Sequence, residues 1–190
     1  MKDLPQPPVI SLRANLWILI PIGVLIVAIL ANNFLLLNYV HVFTSILWTG
    51  TDIFMAFILG PILRRVTFST RKELISWLMP KMLFYMIAVS SVTTTAGYYL
   101  AAKMGLITLH TPTLYWILAV LIIVIVMFIQ GMGILMPTNL RIYFELRKSI
   151  PDFEKIQRLM RLYIKIVASQ AVLQFIIIFI MANFAAGFVS

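Results

Sequence analysis

The sequence predicts an all-α, polytopic membrane protein with five transmembrane helices: a four-helix core bundle and an N-terminal helix beside it. Three observations carry this. The 190-residue chain is 62% hydrophobic and only 11% charged, against about 45–50% and about 25% in soluble domains. Its mean hydropathy is +1.03. Five apolar stretches are each long enough to cross a bilayer as a helix, which takes about 20 residues. The same composition excludes an ordinary soluble domain and a disordered chain. The absence of cysteine excludes disulfides, thiolate metal centres, iron–sulfur clusters and covalent haem attachment.

The five spans are expected at residues 14–31, 37–63, 73–102, 113–139 and 162–184 of one membrane domain. The first is longer than the apolar core of a signal peptide and is expected to be a retained helix. Pro5, Pro7 and Pro8 make the segment before it, residues 1–13, extended rather than helical. Pro21, Pro61, Pro80 and Pro137 mark kinks or helix ends, tolerated in a membrane because neighbours re-satisfy the freed carbonyls. Gly131 and Gly133, beside Gln130, are expected to give the fourth span a small face for close packing. Residues 144–165 are basic and amphipathic. They predict a cytoplasmic helical hairpin, or extensions of the flanking spans along the lipid surface. Ser149–Asp152 would form the turn, with Asp152 and Glu154 starting the next helix.

Lys and Arg total 15 against six Asp and Glu, a formal charge of +9. The basic residues gather in two connections. One holds Arg64, Arg65, Arg71 and Lys72, and the other holds Arg141, Arg147, Lys148, Lys155, Arg158 and Arg161. Cytoplasmic loops collect such charge. The chain is therefore expected in the cell membrane with its N-terminus inside and its C-terminus outside. Without a basic tail or soluble module, the charge implies a lipid surface rather than nucleic acid.

Ionisable residues inside spans are functional candidates. Asp52 lies eleven residues before Leu63, about 16 Å from the inner end. Lys81, Gln130 and Gln170 fall at similar depth on three other helices. An Asp52–Lys81 pair is the economical expectation, since a lone charge there is costly. The layer reads as a polar clasp with the glutamines completing its hydrogen bonds, or as a proton, ion or substrate path. Lys81 has the further option of snorkelling to the inner surface. His41 and His110 both fall on the outer side, where each is either a hydrogen-bonded surface group or a haem or metal ligand.

The run His41–Val–Phe–Thr–Ser–Ile–Leu–Trp48–Thr–Gly50 resembles the opening of a helix in copper-resistance protein D-like membrane proteins. Pro61 with Arg64 and Arg65, Pro80 with Lys81, and the stretch from Met136 to Arg141 fit the same look. The resemblance covers roughly residues 37–186. The small membrane protoporphyrinogen oxidase family, which is associated with haem b, has a similar opening. That family carries a lysine near the start of the helix matching the fourth span, where this chain has His110–Thr–Pro–Thr–Leu–Tyr115. The resemblance implies His41 as an axial haem ligand or copper-side residue, with His110 as a second ligand.

No G-x-S-x-G, P-loop, H-E-x-x-H or hydrolase-type carboxylate pair occurs in the sequence, which argues against hydrolytic or phosphoryl-transfer chemistry. Three readings stand. The first is a membrane protein that binds haem b for redox or haem metabolism. The second is a non-catalytic subunit or scaffold, as a homo-oligomer or in a larger membrane complex. The third is a small transporter for copper or another ion.

Overall fold

The computed structural model describes residues 13–107, 109–148 and 150–188. They form five helices: α1 (Asn15–Leu30), α2 (Phe34–Arg65), α3 (Phe68–Lys103), α4 (Thr113–Leu146) and α5 (Phe153–Ala185). Residues 1–12 of the expected N-terminal segment, and Ser149 of the expected turn, lie outside the described residues. The fold is all-α, and α2 to α5 are each long and apolar enough to cross a membrane. At ~1.5 Å per residue they run about 48–54 Å, well beyond a ~30 Å hydrocarbon core. By the same measure α1 reaches only ~24 Å. It lies where the first span is expected, yet its described helix falls short of a full crossing.

α1 packs on α2 and α3. Leu25 and Ala28 meet Leu37 and Val40 of α2 and Val92, Ala96 and Leu100 of α3. Ala28 and Ala96 are fully buried, small residues that let the backbones approach closely. The turn into α2 uses Asn32 at φ 51°, a left-handed conformation that asparagine adopts more readily than most residues. It closes with Asn33 N–H on the Ala28 carbonyl at 3.2 Å. The Asn33 side chain then accepts the Leu36 N–H at 2.9 Å and caps α2. The Lys103 ammonium, at the end of α3, hydrogen-bonds Asn32 and ties that end of the bundle together.

None of the four prolines within the described helices ends one. Pro21 and Pro80 sit inside α1 and α3. Pro61 and Pro137 each follow a π-helical stretch, Phe54–Leu59 in α2 and Ile129–Leu135 in α4. Proline brings no N–H, and its ring crowds the carbonyl four residues back. The wider turn relieves that crowding, and the preceding N–H reaches back five residues instead: Gly60 to Met55, and Met136 to Gly131.

Where they connect, α4 and α5 extend beyond the apolar stretches and meet in a tight hairpin, so residues 144–165 combine the helical hairpin and the span extensions that were expected as alternatives. Ile142, Leu146, Ile156 and Met160 bury against Leu63, Ile75 and Met79. Above that core Glu145 is only 3% exposed and takes three donors. Lys148 lies at 2.9 Å, Lys155 at 2.7 Å and the Asp152 N–H at 3.3 Å. Asp152 caps α5 by accepting the Lys155 N–H at 3.0 Å. An apolar residue at 145 would leave both ammonium groups and the Asp152 N–H without their acceptor. Glu145→Leu is expected to open the hairpin and speed trypsin cleavage after Lys148 and Lys155. Unchanged cleavage kinetics would show that the carboxylate does not hold it.

Candidate functional site, a cavity between α3 and α4

α3 packs on the C-terminal part of α4, Met136–Leu146, and diverges from its N-terminal part, Thr113–Phe128, which leans on α5. A cavity of about 300 Å³ fills the divergence, at the small end of the range for ligand pockets. One face of α3 supplies Met86, Ser90, Ser91, Thr94 and Thr95, a spacing that keeps side chains on one side of a helix. α4 supplies Met127, Gly131, Leu135 and Asn139 at the same period, and Trp48, Tyr163 and Gln170 close the back.

The glycines expected to pack α4 tightly do something else. A Cβ on Gly131 would touch only the Gln170 Nε2, at 3.8 Å, and one on Gly133 would touch nothing within 4 Å. The absence of side chains on this π-helical stretch contributes to the space. Five methionines border it, Met82, Met86, Met127, Met132 and Met136. Asn139 is 4% exposed, and its Oδ1 has no hydrogen-bond partner. A buried acceptor left bare in an apolar setting is costly. Asn139 borders the cavity as a residue, but its Oδ1 is itself shut off from the open space.

The expected polar layer divides. Asp52 is fully buried and accepts from the Gln174 Nε2 of α5 at 2.9 Å. Trp48, one turn earlier, brings its indole near the same carboxyl without closing a hydrogen bond of good geometry. The expected Asp52–Lys81 pair is not made. Lys81 is exposed on α3, in the outward position that snorkelling requires. Gln170 donates to the Met127 carbonyl at 3.0 Å and Gln130 to Ser169 at 3.3 Å. These two glutamines lace α4 to α5 and do not reach Asp52. Gln174, the acid's partner, lies one turn beyond Gln170 on the same face. That i, i+4 spacing was the signal available for it in the sequence. Asn139, Tyr163 and Trp48 carried no comparable signal.

His41 clasps α2 to α3. Its Nδ1 lies 2.9 Å from the Thr93 carbonyl, and its ring rests against Gly97, where an added Cβ would meet the imidazole at 2.8 Å. Thr93 donates to Thr44 at 2.8 Å, and Thr51 to Tyr85 at 3.1 Å, continuing the polar contacts down the same interface. His110 is exposed in the outer connection, its carbonyl accepting the Leu114 N–H. Neither histidine lines the cavity. The His41 Nδ1 is engaged by the Thr93 carbonyl and its ring edge rests against Gly97. No cluster of three His, Asp or Glu suited to a metal occurs among the described residues.

The class defined by fold and site is a multi-pass helical membrane protein with a cavity inside its apolar zone. The chain matches no family model, no curated protein and no solved structure.

Gly97 and His41 form a size-matched pair, and Gly97→Ala is expected to cost about 1–3 kcal/mol by overpacking. In a His41→Ala background that cost is expected to vanish. Thermal unfolding in detergent of the four proteins of this cycle checks it. An undiminished penalty would mean that the imidazole is not what Gly97 accommodates.

Proposed function

We propose that this protein binds a small lipid-soluble molecule in the cavity between α3 and α4 and holds it within the bilayer for transfer or transport. The observation carrying this reading is the cavity itself, a mainly apolar space whose α3 wall carries the hydroxyls of Ser90, Ser91, Thr94 and Thr95. Such a mixture, a large apolar lining with a few convergent polar groups, is what small-molecule sites present. The divergence of α3 from α4 supports entry from the side. Hydroxyls, amides and thioethers suit binding by shape and hydrogen bonds. The haem reading has no comparable support, because the histidines stand away from the cavity.

Solvent extraction of the purified protein, followed by mass spectrometry, tests this reading. One lipid-soluble compound is expected at close to one per chain. Gly131→Phe, which projects a ring into the space, is expected to deplete it about tenfold or more, a loss of ~1.4 kcal/mol in affinity. Wild-type protein carrying no such compound would sink the reading. A soft cation such as copper(I) is the second reading, favoured by the five bordering methionines, since thioethers select soft metals. Metal analysis of the same sample separates the two.

The topology accompanying this function has residues 14–31 as a fifth crossing. The N-terminus and the α4–α5 hairpin then lie on the cytoplasmic side. The support is the gathering of Arg64, Arg65, Arg71, Arg147, Lys148 and Arg158 at one end of the bundle, in keeping with the positive-inside bias. The chain has no cysteine, so a single introduced one reports alone. In intact cells an impermeant maleimide is expected to label Met104→Cys and to spare Lys148→Cys until the membrane is opened. The reverse pattern would invert the topology.

A further inference from the structure

The Asp52–Gln174 pair contains an imbalance. An ionised carboxylate only accepts hydrogen bonds. Gln174 Nε2 supplies one donor, to Oδ2. Asp52 Oδ1 and Gln174 Oε1 are both left buried with no partner, and two acceptors cannot satisfy each other. No cation comes to the rescue. Both ion pairs among the described residues are on Glu145. α1 carries no titratable side chain. On α3, Lys81 is exposed and Tyr85 is engaged with Thr51. On α5 the Tyr163 phenol lies within electrostatic reach of Asp52, and Lys165 is exposed. Along α2 itself the nearest titratable side chain is His41, eleven residues away. A carboxylate fully buried in an apolar span without a counter-ion neutralises rather than stays charged.

We propose that Asp52 carries a proton and that Asp52 with Gln174 is an intramembrane proton-binding site. One proton on Oδ1 turns it from acceptor to donor and gives the Gln174 Oε1 its missing partner. The acid and the amide then exchange two hydrogen bonds, both neutral, between α2 and α5. The site lies thirteen residues before Arg65, about 20 Å from the inner end of α2. Trp48 stands beside the carboxyl and Tyr163 lies within its electrostatic reach, and both also line the cavity. A molecule seated in the cavity therefore shares two side chains with the proton site. The protonation itself does not depend on whether the cavity takes a ligand.

Infrared spectroscopy of the full chain in lipid membranes at neutral pH tests this. Asp52 is one of only three aspartates, with Asp3 and Asp152, and Asp152 is exposed. Carbon-13 labelling of aspartate should shift one carbonyl band of a protonated carboxylic acid. That band should disappear in Asp52→Asn, the neutral isostere. In Gln174→Leu it should move to higher frequency, as a carbonyl does on losing a hydrogen bond. Should Asp52→Asn fail to fold, the isotope shift in wild-type protein still decides the matter. Aspartate signals of carboxylate form alone, with no labelled acid band at neutral pH, would overturn the proposal.

Discussion

A polar group placed in hydrocarbon has no water to turn to and must find its partner inside the protein. Much of this bundle follows from that constraint. Within α2, the Thr44, Ser45 and Thr51 hydroxyls bond back to carbonyls one turn earlier. Those partners are local, so they add nothing to helix pairing. The side chains that pair helices are the ones whose donors reach another helix: Thr93 to Thr44, Gln170 to a carbonyl of α4, Gln174 to Asp52. Each joins helices that packing alone, in lipid as apolar as the helices themselves, would join only weakly.

Two proline-linked π stretches divide α2 and α4. Because a π turn adds a residue to the winding, it rotates everything beyond it relative to everything before it. In α4 this occurs where Gly131 leaves the cavity wall without a side chain at that position, between Met127 and Leu135. In α2 the same device is used for the opposite end. Gly60 sits close to Ile164 of α5, at 3.2 Å from where a Cβ would be, so the second π stretch accompanies close packing. The same local chemistry yields an opening in one place and a contact in another, depending on whether a neighbouring side chain arrives to fill it.

Helix number and approximate position were legible in the sequence because composition alone fixes where a bilayer-length apolar run lies. The ends were less so. α3 begins at Phe68 rather than near residue 73, and α5 at Phe153 rather than near 162. An apolar window loses sight of a helix once it leaves the hydrocarbon. The separation of Lys81 from Asp52 has a different cause. Depth along a helix can be counted from its end, whereas its rotation depends on which neighbours it packs. Lys81 sits between the buried pair Pro80 and Met82, yet it points outward while they point in. Asn139 was legible only as the end of a span, since its place beside the cavity depends on the π stretch before it.

The two ends of the bundle are closed by different means. At one end the Lys103 ammonium binds the α1–α2 turn through Asn32. At the other, Glu145 gathers Lys148, Lys155 and the start of α5. Between these ends α2 and α3 are joined by His41, Thr44 and Thr51, and α5 is joined to α2 and α4 by its glutamines. Among the described residues no such polar tie joins α3 to the N-terminal half of α4. A gap between two helices held at one end widens by a small change in angle, without breaking a hydrogen bond of either backbone. That makes the α3–α4 divergence the place where the proposed ligand would enter at least cost, past the hydroxyls of Ser90, Ser91, Thr94 and Thr95.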